Sequence, residues 1–304
     1  MPKIESIDII FGNNETIYYA GDNIRGAVVV SSRETLPIHR ITVSLKGEGR
    51  NGWVNKTSDK IYESLEVYIN ESLPVVSQQQ TSPPGRNSFP FVFPLPLNLP
   101  SSFEGEYGTI RYILHASLLS TAAKQFGVPG QANSGEFTCD RLVMLVSNLN
   151  LLHYPLTRHP IEAEDFVDYS CCCVPLGSAH AVVKIDKNGF VSQEGIVINA
   201  EIQNQSRRSF DCITITLIQN AKFMAWSRYE NAQDTKEVRF TLSSVVRAGA
   251  RPRRNAVVDN ETINIPMLIP TYKGNILEIS YVLRFEANPG IEIEIPITIG
   301  TKRL

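Results

Sequence analysis

Residues 89–118 read Phe89-Pro-Phe-Val-Phe-Pro-Leu-Pro-Leu-Asn-Leu-Pro-Ser-Ser-Phe-Glu-Gly-Glu-Tyr-Gly-Thr-Ile-Arg-Tyr-Ile-Leu-His-Ala-Ser-Leu118. Phe89, Phe91, Phe93, Leu95, Leu97 and Leu99 fall on odd positions, while Pro90, Pro94, Pro96 and Pro100 fall on even ones. In an extended chain, successive side chains face opposite sides of a sheet and successive N–H groups point to opposite edges. Every N–H that proline removes would therefore have pointed the same way. The other edge keeps its donors and can pair. This phasing predicts an edge strand, zipped on one side and closed by proline on the other. After a turn through Ser101-Ser-Phe-Glu-Gly-Glu-Tyr-Gly108, alternation resumes with Ile110, Tyr112, Leu114, Ala116 and Leu118 against Arg111, His115 and Ser117. A period of two marks half-buried sheet.

The same segment has an echo near the C-terminus. Pro96-Leu-Asn-Leu-Pro100 is matched by Pro266-Met-Leu-Ile-Pro270, and Ile110-Arg-Tyr112-Ile-Leu114 by Ile279-Ser-Tyr281-Val-Leu283. Upstream, Tyr18-Tyr-Ala-Gly-Asp-Asn-Ile-Arg-Gly-Ala-Val-Val-Val30 resembles Gly189-Phe-Val-Ser-Gln-Glu-Gly-Ile-Val-Ile-Asn199. Three echoes in one order at matching separations indicate an internal duplication. Each copy is rich in strand and turn signals, so the pair reads as two sandwiches in tandem. Ile38–Leu45, Cys212–Ile218 and Ile291–Ile299 add alternating strands. Residues 75–88, 120–136 and 247–262 read as loops, and about 148–172 as the connection between the copies.

Composition agrees with two cores. The chain has 304 residues, 42% hydrophobic and 20% charged, which suits two domains of about 150 residues each. A net charge of −2 gives no electrostatic ground for binding nucleic acid. No apolar run approaches the ~18 residues of a membrane helix. The opening Met-Pro-Lys-Ile-Glu-Ser-Ile-Asp carries acids where a secretory signal needs a basic start and an apolar core. Cytosolic, reduced thiols are the expectation for the five cysteines, Cys139, Cys171, Cys172, Cys173 and Cys212. On that reading the sequons at Asn14, Asn55, Asn70, Asn204 and Asn260 carry no meaning.

Several signatures now become specific. They are Tyr18-x-x-Gly21-Asp-x-Ile24-x-Gly26, Gly47-Glu-Gly-x-x-x-Trp53, the Phe91-to-Tyr112 block with its Leu-Pro-Ser-Ser-Phe-Glu-Gly, Asn204-x-Ser-Arg, and the closing Ile297-Thr-Ile-Gly-Thr301. The chain resembles an α-arrestin of the arrestin-domain-containing group along nearly its whole length. The resemblance implies an all-β fold: two tandem arrestin-type, immunoglobulin-like β-sandwiches joined by a short hinge. The expected division is an N-type sandwich over 1–150, a hinge over 151–172 and a C-type sandwich over 173–304. It implies a non-enzymatic adaptor at the cytoplasmic face of plasma membrane and endosomes, without cofactor. Such an adaptor links membrane receptors or transporters to ubiquitin ligases and trafficking machinery. The competing reading is a fixed coat component of the retromer-subunit kind, which shares the fold; an enzyme built on a sandwich is the third.

The sequence departs from the family pattern in three places. Pro83-Pro84 is followed by Gly85-Arg86, so the Pro-Pro-x-Tyr motif that recruits ligase WW domains is missing from this sequence, and the expectation is a short form. The first strand offers only Lys3 where phosphate-sensing arrestins carry adjacent lysines. The thioredoxin-interacting relative uses a cysteine in the region of 247–262, which here has none.

Two clusters are candidate sites. Arg247, Arg251, Arg253 and Arg254 lie together with Gly249 and Pro252. Arginine grips phosphate bidentately, so a lipid headgroup or a phosphorylated cargo tail is the candidate ligand. Cys171-Cys172-Cys173 are candidates for S-acylation, which would add a membrane anchor; thiols partly buried in a strand are the plainer expectation. Three adjacent cysteines cannot converge on one tetrahedral ion, so no metal is expected. The histidines His39, His115, His153, His159 and His180 are scattered, and no catalytic motif appears. Trp53 and Trp226 are candidates either for interface anchors or for core.

Overall fold

A computed structural model describes residues 4–12, 17–120, 135–171 and 174–301. The chain forms two compact units, Met1–Asn148 with Ala225–Ala232, and Leu149–Met224 with Gln233–Leu304. Both are β-sandwiches, as the alternation of the sequence requires.

In the first unit the strands are β1 (Ile4–Phe11), β2 (Ile17–Tyr19), β3 (Asn23–Ser32), β4 (Leu36–Asn55), β5 (Lys60–Val76), β6 (Gln80–Ser82), β7 (Gly85–Pro94), β8 (Phe103–Glu104), β9 (Gly108–Ser120) and β10 (Glu136–Val146). One sheet has the order β1-β3-β7, and the other runs β5-β4-β9-β10-β2 with β6 on β4 and β8 on β9. The proline-phased strand is β7. It ends its sheet among the described residues, with Phe91 and Phe93 buried and Pro90, Val92 and Pro94 exposed. The strand stops at Pro94, short of the expected Pro100: Leu95 N–H instead donates to Asp22 O and Gly21 N–H to Pro96 O. The expected loop at 75–88 is replaced by the end of β5, all of β6 and the start of β7. Of the 120–136 loop, residues 121–134 lie outside the described residues.

In the second unit two short 3-10 turns, Leu151–His153 and Pro155–Arg158, precede β11 (Ile161–Cys171), β12 (Val174–Ile185), β13 (Gly189–Val191), β14 (Gly195–Asn204), β15 (Cys212–Ser227), β16 (Gln233–Ala248), β17 (Ala256–Asn264), β18 (Tyr272–Lys273), β19 (Leu277–Ala287) and β20 (Ile291–Gly300). The sheets are β11-β12-β14-β17 and β13-β20-β19-β15, with β16 on β15 and β18 on β19. Residues 161–171, expected within the hinge, are a strand paired along its whole length with β12. Its acidic run hid the alternation, because Glu162, Glu164 and Asp168 sit on the exposed face while the opposite residues are half-buried. The expected loop at 247–262 narrows to 249–255, since β16 reaches Ala248 and β17 starts at Ala256.

The duplication is visible atom by atom. Tyr112 donates its hydroxyl to Pro100 O at 2.7 Å, and Tyr281 donates to Ile269 O at 2.7 Å, each twelve residues upstream. A buried tyrosine whose hydroxyl reaches back to the backbone fixes the corner before its strand. In each unit a three-residue strand pairs in parallel with the last long strand, β2 with β10 and β13 with β20. Tyr18 and Phe190 lie at their centres, both buried. The edge strands also match. Asp8 on β1 accepts from Ile9 N–H at 2.8 Å and from Arg141 of β10 at 2.5 and 3.1 Å. Asp165 on β11 accepts from Phe166 N–H and from Glu292 N–H of β20, both at 2.9 Å. Gly47 explains one family signature. A Cβ there would stand 2.3 Å from a ring carbon of Tyr112, its partner across β4 and β9, so only glycine lets that ring lie on the strand.

Candidate functional site

The candidate site starts from Asn204-Gln-Ser-Arg207, at the end of β14. Asn204 is 1% exposed and Ser206 is fully buried. Asn204 Oδ1 accepts from Ser206 N–H at 3.0 Å and from Ser206 Oγ at 2.6 Å. Its Nδ2 donates to Arg208 O at 2.8 Å and to Arg251 O at 2.9 Å. One buried amide therefore uses both its acceptor and its donors to stitch loop 205–211 to loop 249–255. Ser206 Oγ also accepts from Arg208 N–H at 3.1 Å, and Arg253 N–H donates to Ser206 O at 3.0 Å. Buried polar groups this fully bonded hold a backbone in one conformation. Gly249 permits the approach, because a Cβ there would fall 2.0 Å from Phe210 O.

This node presents Arg207, Arg208, Arg251, Arg253 and Arg254, all exposed, at one end of the second sandwich. None of the five forms an ion pair among the described residues. Arg208 stacks its guanidinium 5.4 Å from the centre of the Tyr169 ring, and that ring meets Phe210 edge-on. Burial raises the Tyr169 hydroxyl above the ordinary tyrosine value. Arg247, counted with the cluster from sequence, does not belong to it. It lies on β16, and its guanidinium binds Glu261 at 2.6 Å. Arg207 and Arg208 were not singled out from the sequence; their signal was the Asn204-x-Ser-Arg motif that immediately precedes them.

Cys171 lies at the same end. It pairs with Val174 at the close of the β11–β12 hairpin, and Arg207 N–H donates to Leu176 O just beyond. It is exposed, in place of the partly buried thiol expected from its strand position. Cys172 and Cys173 lie outside the described residues. The tryptophans differ. Trp53 is 8% exposed, stacked on Tyr62 and met edge-on by Tyr107, whereas Trp226 is 40% exposed. Two of the scattered histidines face carboxylates, His115 with Asp140 at 2.5 Å and His180 with Glu164 at 3.0 Å. Among the described residues no three His, Cys, Asp or Glu side chains converge as metal ligands would, and no helix is long and apolar enough to cross a membrane.

Comparison with known proteins accounts for both halves of the chain. The family model "Arrestin (or S-antigen), N-terminal domain" matches residues 7–139, and "Arrestin (or S-antigen), C-terminal domain" matches 176–304. The chain belongs to the arrestin family, as an α-arrestin. It is 28% identical to Arrestin domain-containing protein 15 of Caenorhabditis elegans, over 92% of this chain and 75% of that protein. With human Arrestin domain-containing protein 1 it shares 27% identity over 99% of this chain and 65% of the relative. With Thioredoxin-interacting protein of Pongo abelii it shares 24%, over 99% and 75% respectively. In this α-arrestin the Gly47 and Asn204 signatures do structural work: the first seats an aromatic ring, the second builds the loop node that carries the arginines.

Proposed function

We propose that this α-arrestin is a non-enzymatic adaptor that joins membrane-protein cargo to ubiquitin-ligase and endocytic machinery at the cytoplasmic face of plasma membrane and endosomes. We also propose that the arginine end of the second sandwich is its phosphate contact. The observation that carries this is the set of five exposed arginines without a carboxylate partner among the described residues, on a backbone held by Asn204 and Ser206. Guanidinium groups without an internal carboxylate are free to bind phosphate oxygens, and a fixed backbone reduces what must be ordered on binding. Arg247, neutralised by Glu261, is outside this contact. Acylation of Cys171 would place a lipid chain at the arginine end, and an acyl chain with a polybasic patch makes a stable two-part anchor.

Vesicle sedimentation tests the contact. Triple replacement Arg251→Ala, Arg253→Ala and Arg254→Ala is expected to reduce binding to phosphatidylserine-rich vesicles about a hundredfold, at roughly 1 kcal/mol per basic residue. Binding to neutral phosphatidylcholine should be weak for both proteins. A phosphopeptide titration forms the second arm. Unchanged behaviour in both arms rejects the phosphate contact. Co-purification from cells tests the adaptor: a stoichiometric coat complex without cargo or ligase would replace it with the scaffold reading.

A further inference from the structure

The sheet β11-β12-β14-β17 turns one face to the core through Ala181, Val183, Ile198 and Ile202. Its other face is neither wholly polar nor covered among the described residues. The strand registers place Glu164 beside Val182, Val182 beside Glu201, and Glu201 beside Val257. A single row across four strands thus alternates carboxylate, apolar, carboxylate, apolar. With strands about 4.8 Å apart, the two carboxylates stand roughly 9–10 Å from each other. Val257 is 70% exposed, and Phe166 and Val197 on the same face are 58% and 37% exposed.

The charge of this face is one-sided. Glu162 is bonded to Lys184 at 2.9 Å. Glu164, Asp168, Glu201 and Asp259 have no Lys or Arg partner among the described residues. Glu164 meets only His180, and Glu201 accepts from the amides of Gln203 and Asn255 at 3.3 Å. Shallow depressions lie on both sides of the row, one around Val182, Glu201, Val257 and Asp259 with the Glu162–Lys184 pair at its side, the other around Glu164, Phe166 and His180. Carboxylates left without cations beside exposed apolar side chains fit a ligand with the complementary pattern.

We propose that this face docks an extended basic peptide in which, at every second position, Lys or Arg alternates with Leu, Val or Ile, so that both kinds of side chain lie on the side turned to the sheet. Its basic side chains would take Glu164 and Glu201, and its apolar ones Val182 and Val257. Segments flanking a membrane span on the cytoplasmic side carry excess Lys and Arg, so the source is a juxtamembrane segment of a membrane-protein cargo. The source rests on the adaptor reading; the docking chemistry does not. The face is separate from the arginine end, which takes anions.

The test is fluorescence anisotropy of the whole chain with a labelled twelve-residue peptide that carries Lys or Arg and Leu or Val in turn at every second position, with Ser between them. Glu164→Lys with Glu201→Lys should weaken binding about tenfold or more, and raising salt should weaken the unaltered protein's binding. A second pair, Glu164→Gln with Glu201→Gln, keeps side-chain shape and guards against misfolding; it should weaken binding by about threefold or more. Phe166→Ser with Val257→Ser reports the apolar half, and its loss should equal or exceed that of the Gln pair. The Arg251, Arg253 and Arg254 triple variant should bind the peptide normally. Equal affinity for a Glu-containing peptide, or full affinity in both Glu164/Glu201 variants, overturns the proposal. So does occupation of the face by a second copy, seen as a dimer by light scattering that both variant pairs abolish. None of these outcomes touches the co-purification or vesicle results, so the adaptor reading can stand if this face fails.

Discussion

Asn204 and the arginines around it separate two kinds of residue that look alike in a sequence. Asn204 makes four hydrogen bonds in a site closed to water. At about 0.5–1.5 kcal/mol net for each, Asn204→Ala is expected to cost about 2–4 kcal/mol, with the melting temperature falling by roughly 5–10 °C. Arg253→Ala removes an exposed side chain without an ionic partner, and its melt should stay within about 0.5 kcal/mol of the unaltered protein. Scanning calorimetry of the two variants checks both values. An Asn204→Ala melt close to the unaltered protein's would show that water replaces the amide, and the node would no longer explain the rigidity of the loops. Arg251, Arg253 and Arg254 were legible because they are adjacent in sequence. Arg207 and Arg208 join them through bonds from Asn204 and Ser206 to residues more than forty positions away. Arg247 was over-read for the same reason: Glu261, which neutralises it, lies on β17, fourteen positions further along the chain.

Strand edges show what the elements contribute. The proline phasing of β7 was readable because proline leaves its own mark on the backbone. The guards on β1 and β11 were not, since an aspartate in a strand looks like any surface acid. Asp165 satisfies one N–H of its own edge and one of β20, and so ties the two sheets of the second sandwich together there. Asp165→Ala leaves both donors without that acceptor, and the expected cost is about 1–3 kcal/mol. It should also free the edge of β11 for pairing with other chains, because unguarded edges template association. Light scattering on warming should then detect aggregation at a lower temperature than calorimetry of the unaltered protein would suggest. Asp165→Asn keeps an acceptor for one N–H and should fall between the two. If Asp165→Ala aggregates no sooner than the unaltered protein, the guard is not Asp165. Strand lengths were also under-read: β4 runs from Leu36 to Asn55 where the alternation marked only Ile38–Leu45. The glycines of Gly47-Glu-Gly and Gly52 interrupt the apolar pattern, although all three lie in the strand, where Gly47 makes room for the Tyr112 ring.

At the scale of the whole molecule the duplication was the most legible feature, because its bearers are bulky residues at fixed separations. The two copies have since diverged in what surrounds the shared tyrosine. Tyr112 lies over Gly47, whereas Tyr281 also accepts from Gln219 Nε2 at 2.9 Å. Burial holds the Tyr281 hydroxyl far above the ordinary tyrosine value, and raises that of Tyr169 as well. The sign follows from proton linkage. The unfolded chain ionises these tyrosines near pH ~10, while the fold keeps them protonated. Above that pH the unfolded state binds fewer protons than the folded one, so stability falls as pH rises. The contribution is present in full below pH ~10 and is lost progressively toward the raised folded value. Thermal melts followed by far-ultraviolet circular dichroism should therefore show a steeper decline between pH 9 and 11 than between pH 7 and 9. Tyr281→Phe keeps the ring and removes the ionising group. It should start lower at pH 8, by about 1 kcal/mol for the hydrogen bonds lost, and then decline less steeply. Lysine deprotonation acts on both proteins and cancels in the comparison. Parallel declines would place the alkaline sensitivity outside Tyr281, in groups such as Lys187 with Glu194 or Lys60 with Glu230.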